Sequence, residues 1–569
     1  MVHTMSRPGE TEQELRRAAE AGEVLDLSRR GDNTLPAKAI RDLLRAGDVD
    51  PRGVRVHGAR VTGRLDLIDL HLQTSLELDK CMFEETPAVC DAELRSLTFD
   101  RSTLPSLDAA GLRVRYFGMR NARTQSLNLD NASIDGPLLI HGSSVGLMYG
   151  RGLRVNRAVA ASGLYATTLW LDGCDIGGDL QLYKAVIVNE SGGALLANSA
   201  RVGGAIFLDE VFIKAGGSGT AVRLIEASAG SLLMRRAVVR SWEETAINLD
   251  GAQFRQEVRL DDGFDVLAHH ASDCAIRMVD THTGAGLGVR GSVRNHGGQA
   301  LVLNKAVIGA SVVVTDTVIE AASRRAAVEV SDTSVNSELA FRPTKLINNG
   351  TGPELSLVRT KVGDALSLNV PALLETEDFV LTINGLTYPE PPSNTSAWLK
   401  MLNTHTAGYE AQPYQQLAAV HRAAGHEHTA RKVLIAQQRD LRRRGDPGNK
   451  LWHWFLGVTL GYGYKPSRAV AGLLITFVLA LCLVWTAGEF NGLTPAKDRP
   501  ADACSPVNRI SLAADLAIPL VKLGGTPRCE LANGPAGQWA TGAGWVVQIL
   551  GWSFATLSVA GFTGLVRKS

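Results

Sequence analysis

Several groups of residues in this chain have types and spacings that could do chemistry. Asp261, Asp262 and Asp265 are its tightest carboxylate group, and paired carboxylates on one face are what glycosidic cleavage requires. They do not stand apart from a wider pattern. Asp130, Asp172, Asp209, Asp250 and Asp261 each follow an apolar residue, as turn or outward-facing corner positions do. The stretch GAGLGV at 284–289 has the look of a dinucleotide loop. Leu287 and Val289, however, continue an apolar alternation, and neither a helix nor a ribose-binding acid follows, so the motif is expected to be structural. His421, His426 and His428 lie close together with the spacing of a solvated helix surface rather than a metal site. No Cys/His cluster has zinc spacing. No catalytic, cofactor or metal site is recognisable.

The segment TLGYG at 459–463 resembles a potassium-channel filter. Such a filter follows a pore helix flanked by membrane spans, whereas here the upstream segment is strongly basic. Tyr464 also stands where filters usually carry an acid. The expected role of 451–466 is interfacial, with Trp452, Trp454, Tyr462 and Tyr464 in an aromatic belt.

The elements that would position these groups follow from composition and pattern. Lys plus Arg number 59 against 58 Asp plus Glu, which argues against a nucleic-acid binder driven by net charge. With 58 glycines and only 6% aromatics, turn-rich repetitive β-structure fits better than an α/β enzyme. The N-terminus is polar, without the apolar core of a signal peptide. Two uncharged runs, 469–488 and 541–566, are each long enough to cross a bilayer of about 30 Å. Basic flanks, including Arg442, Arg443 and Arg444 before the first run and Arg567 and Lys568 after the second, put both termini on the cytoplasmic side of a plasma membrane. Residues 489–540 are then an external loop. Within it Cys504 and Cys529 can pair or remain two free thiols. The short apolar stretch 509–525 is either an external cap or a re-entrant pore helix that would bring Ser511, Asp515 and Lys522 to a path.

The large middle repeats. Apolar-x-apolar motifs start at 126 (SLNLD), 152 (GLRVN), 179 (DLQLY) and 205 (AIFLD), and continue at 231, 257, 286, 311, 338 and 365. An interval near 26–27 residues, with strict alternation, predicts a mainly β fold: a β-helix or solenoid, three-sided rather than square. The expected order is an N-terminal helical cap (1–50), the solenoid (51–387), a linker (388–411) and a basic helical hairpin (412–450). The interfacial segment and a two-helix transmembrane domain (467–569) follow.

The order VHGARVTGRLDLIDLHL, LELDKCMFEE, repeated coils, PYQQLAAVHRAAGHEHTARKVLIAQQRD, LGYGYKPSRAV and two spans resembles an actinobacterial family of membrane-attached, pentapeptide-like β-solenoid proteins. Its members are often labelled "membrane-associated oxidoreductase"; the resemblance brings no catalytic residues with it, and no nicotinamide, flavin, haem or iron–sulfur motif stands in this sequence. The expected function is an interaction scaffold at the inner face of the membrane, contacting the bilayer and a protein partner through the solenoid surface. A homo-oligomeric gated pore with the solenoid as sensor is the alternative, and an oxidoreductase the third.

Overall fold

The computed structural model describes residues 9–368, 379–444, 467–496, 504–518 and 529–563. The chain divides into two units, Met1–Ala407 and Gly408–Ser569.

The first unit is dominated by one parallel sheet. Helices α1 (Glu10–Ala21) and α2 (Ala37–Ala46) flank its first strand in sequence, burying Leu15, Ile40, Leu43 and Leu44. Pro36, in its fixed φ, forms the N-cap of α2. Strand Val24–Asp26 pairs in parallel with Arg55–His57 and so begins the sheet beside the cap.

From about residue 107 the strands form four parallel ladders. In the first, Arg113 pairs with Ser133, Ser133 with Arg154 and Arg154 with Asp175, steps of 20, 21 and 21 residues. Asp175 then pairs with Arg201 and Arg201 with Ser228, steps of 26 and 27. Every ladder stacks aliphatic side chains on aliphatic side chains. Leu138, Val159, Leu180, Ile206, Leu232, Val258 and Leu287 succeed one another in the second. Val145, Ala166, Ile187 and Ile213 do so in the third, and Leu127, Met148, Leu169 and Leu195 in the fourth. All are buried except Ala166, and a fully buried Leu, Ile or Val contributes about 1.5–3 kcal/mol.

Intervals near 26–27 residues, in fact 25 to 29, therefore hold only from Asp175 onward, and there are four ladders rather than the three of a three-sided coil. Leu127 of SLNLD stands in the fourth ladder while Val155 of GLRVN stands in the first, so those motifs are not successive members of one series. Each side carries a similar buried pair two residues apart: Leu112/Val114, Phe117/Met119, Ala122/Thr124, Leu127/Leu129, apolar except for Thr124. With near-identical pairs every five residues, an interval near 26 links one side to a different side one repeat on. The later repeats are longer because of one insertion. Ser144–Tyr149 runs straight through the third and fourth ladders, whereas Val186–Asn189 and Leu195–Leu196 are separated by a loop.

The segment expected to be a linker contains a third helix, α3 (Thr395–Thr404), started by Asn394, whose side chain accepts a hydrogen bond from the Ala397 amide (3.0 Å). Its Trp398 packs on Tyr388 (5.6 Å between ring centroids), and His405 Nδ1 meets the Phe379 carbonyl at 2.8 Å. The helix thus closes the last described turn of chain instead of hanging free.

In the second unit, α4 (Ala411–Ala423) and α5 (Glu427–Arg444) form a hairpin turning at Gly425, with Leu417, Val420, Ala430 and Val433 buried. Helices α6 (Ser467–Glu489) and α8 (Pro535–Thr563) include apolar stretches of 21 and 25 residues, about 31 and 37 Å long and so enough to cross a membrane. Between them in sequence lies α7 (Pro506–Ala517).

Candidate functional site

The corner carboxylates show what ordinary positions in this fold do. The Asp130 carboxylate accepts the Arg151 amide (2.8 Å), Asp172 the Asn198 amide (2.7 Å) and Asp250 the Val279 amide (2.9 Å). Asp209 accepts both the Arg235 amide (2.9 Å) and its guanidinium (2.7 Å). Each acid ties one repeat to the next through a backbone N–H that would otherwise go unpaired. Their role is structural.

The acidic trio is split by the fold. Asp265 is held by Arg240 and by Arg294 (2.9 Å). Burial alone would raise its carboxyl, but hydrogen bonds from both guanidinium groups outweigh that and leave it below the usual carboxylate range. Asp261 occupies the same ladder position as Asp209 and Arg235 (Ile206, Leu232 and Val258 being paired). Yet its Oδ1 is buried without a hydrogen-bond partner. The cause lies in the register. Leu260 pairs with Val289 and Phe264 with Gly291, so three residues of one repeat face the single Arg290 of the next. The strand Leu287–Asn295 runs straight past the corner, and no amide arrives to meet the carboxylate. Burial, with repulsion from Asp262, raises the Asp261 carboxyl above its ordinary value.

Asp261 borders a groove of about 410 Å³. Gly286 and Gly288 of the GAGLGV stretch line it, together with Glu257, Arg259 and Arg290. Arg259 Nε meets Glu257 at 2.9 Å, and Arg290 Nε lies 3.5 Å from Asp316. The outward position filled by Phe207, Leu233 and Arg259 in preceding repeats is Gly288 here, and a Cβ there would meet nothing within 4 Å. The glycine motif and one member of the acidic trio, Asp261, thus line one groove.

The remaining candidates fall elsewhere. Cys504 and Cys529 are disulfide-bonded, next to the antiparallel pair Leu493–Pro495 and Cys529–Leu531. Ser511 and Asp515 lie on α7. Trp452, Trp454, Tyr462, Tyr464 and Lys522 lie outside the described residues. Arg442, Arg443 and Arg444 end α5, and the Arg444 side chain turns back along it, with Nε 3.0 Å from Asp440, a carboxylate that also accepts a hydrogen bond from the Tyr414 hydroxyl (3.1 Å). That buried polar cluster escaped sequence reasoning, although its i,i+4 spacing was a signal. His421 and His426 have ring centroids 5.9 Å apart, and among the described residues no three His, Cys, Asp or Glu side chains group as a metal site. The thiols of Cys174 and Cys274 are buried in the sheet core and pushed up to about 12 by that burial, which suits packing rather than nucleophilic work.

The tail helices pack through small residues. Ala480 and Val484 of α6, Ala513 and Ala517 of α7 and Val547 of α8 form one buried cluster. Gly551 lets α8 approach α7 closely, since a Cβ there would lie 2.2 Å from the Ala517 carbonyl oxygen. The end of α7 is thus level with the middle of α8. Ala480, in the same cluster, is nine residues, about 14 Å, from the Glu489 end of α6. Leu474, Ile475, Val478, Trp545 and Ile549 point outward and are exposed.

No family model, curated protein or solved structure matches the chain.

Proposed function

We propose that the chain is a membrane-anchored recognition module: a four-sided β-solenoid on the cytoplasmic side, held at the plasma membrane by α6 and α8. The observation that carries this reading is the groove at Asp261. At Asp130, Asp172, Asp209 and Asp250 the carboxylate is consumed in tying repeats together, and at Asp261 the tie is broken and the surface opens. The outward-facing apolar side chains of α6 and α8 support lipid contact, and the disulfide fits an oxidising external loop. The resemblance to membrane-attached solenoid proteins points the same way. Labelling with a membrane-impermeant maleimide tests it. The thiol introduced by Ser218→Cys should be protected in intact cells, and Cys504 and Cys529 should label after reduction. Labelling of the introduced thiol from outside would overturn the orientation.

A second reading, an oligomeric pore, is favoured by the depth of α7. At 12 residues it is too short to cross, and its C-terminus ends level with mid-α8. The negative end of its dipole would favour a cation there. Proteoliposome flux that falls in Gly551→Leu, where the added side chain must displace α7, would support it. Equal flux in both proteins, or none from inserted wild type, would sink it.

A further inference from the structure

We propose that the first ladder carries an oxyanion site, built by Arg95, Arg113 and Arg115, for a phosphate or carboxylate group of a small molecule or of a lipid headgroup. It shares no lining residue with the Asp261 groove. The three arginines line a cavity of about 270 Å³ together with Glu93, Ser133 and Asp135. The register puts them there. Glu93 pairs with Arg113 and Leu94 with Val114, and Arg113 in turn pairs with Ser133. Leu94 and Val114 are buried, so the residues on either side of each point outward. Arg95 and Arg115 therefore stand one above the other on adjacent repeats, their Cα atoms about 4.8 Å apart. Arg113 lies on the same strand as Arg115 and the same face.

What marks the three is a missing counter-charge. Several arginines elsewhere in the sheet are neutralised by an acid of the preceding repeat: Arg101 by Asp79 (2.7 Å), Arg120 by Asp100 (2.7 Å), Arg151 by Asp130 (2.9 Å) and Arg277 by Asp250 (2.6 Å). Among the described residues, none of Arg95, Arg113 and Arg115 is in an ion pair or gives a side-chain hydrogen bond. Acids are at hand, since Glu93 and Asp135 line the same cavity, but both turn away. Glu93 meets His71 Nδ1 of the preceding repeat at 3.3 Å, and Asp135 accepts from Asn156 of the following one at 3.5 Å. Like charges directly across a ladder are unfavourable, and an anion from outside the chain relieves the stacked Arg95 and Arg115. Guanidinium forks match the paired oxygens of phosphate and carboxylate, whereas a neutral ligand would leave the charge unbalanced. Ser133 can donate a further hydrogen bond. At about 270 Å³ the cavity is smaller than pockets for drug-sized ligands, so it suits one charged group rather than a whole cofactor.

The test is modification of the full chain by phenylglyoxal, an arginine reagent, mapped by peptide mass spectrometry. One arm uses protein in a maltoside detergent with sodium phosphate, pyrophosphate or citrate, the ionic strength being held constant with chloride. The other compares nanodiscs of phosphatidylcholine alone with nanodiscs that also contain phosphatidylglycerol. Arg123, exposed and without an ion pair among the described residues but outside the cavity lining, is the internal control. Modification of Arg113 and Arg115 is expected to slow, by roughly tenfold at an anion concentration about ten times Kd, while Arg123 reacts as before. Protection by a free anion assigns a soluble ligand, and protection only by phosphatidylglycerol assigns a lipid headgroup. Arg115→Gln should remove the protection of Arg113; the side chain is exposed, so the fold survives the change. Protection in neither arm, equal slowing at Arg123, or full protection of Arg113 in Arg115→Gln would overturn the assignment.

Discussion

Asp209 and Asp261 stand at equivalent places in their repeats, and their difference is set by the neighbouring strand. Removing Asp209 takes away the partner of a buried amide, so Asp209→Ala should cost about 1–3 kcal/mol, with Asp209→Asn retaining most of the stability; thermal unfolding of the two variants checks this. Asp261 should behave oppositely. Its folded carboxyl is raised above 3.8 by burial and by Asp262. The associated stability is fully present below that unfolded value and is lost as pH rises through the folded one. Asp261→Asn should therefore raise Tm at neutral pH, and the gain should vanish below about pH 3.8. A variant less stable than wild type at pH 7 would contradict the unpaired carboxylate. In sequence the two aspartates look alike, each after a leucine, because what separates them is a hydrogen bond to a residue of the following repeat.

At the scale of elements, the hairpin was legible because its apolar residues recur at helical spacing, with Gly425 where a left-handed turn is needed. The polar end of the hairpin was less so. Arg444 belongs to a basic run suited to a lipid surface, but the fold turns it onto the buried Asp440, whose side chain is 2% exposed. Removing one member of a buried pair leaves an uncompensated charge, so Arg444→Gln should destabilise the hairpin by about 3 kcal/mol, while Arg442→Gln changes stability little. Urea unfolding followed by circular dichroism distinguishes them. The bond between Cys504 and Cys529 spans 25 residues, worth about 3 kcal/mol by loop-closure entropy. The double Ser variant should lower Tm, as should reduction of wild type, and the two effects should not add. Helix α3 was hidden by the preceding Pro/Ser-rich stretch, and the burial of Trp398, Met401 and Leu402, with Trp398 on Tyr388, helps to stabilise it.

At the scale of the whole molecule, the anchored-module and pore readings differ in what they require of a second copy. A strictly monomeric chain in detergent leaves no room for a pore between subunits, so sedimentation of the intact protein separates them before any flux is measured. The sequence alone determined the strand alternation, the two apolar helices and the cysteine pair's place between them. These follow from local rules: side chains alternate along a strand, and a length of uncharged helix either spans or does not. Only the tertiary structure decided which sides stack on which, that early repeats are five residues shorter than later ones, and that Asp261 and the GAGLGV stretch share a groove. Five-residue sides with near-identical apolar pairs are interchangeable by pattern. The choice among registers is made by backbone hydrogen bonds and loop lengths between residues 20 to 29 positions apart, as from Arg113 to Ser133 and from Gln253 to His282. The same long-range choice leaves one carboxylate without its amide.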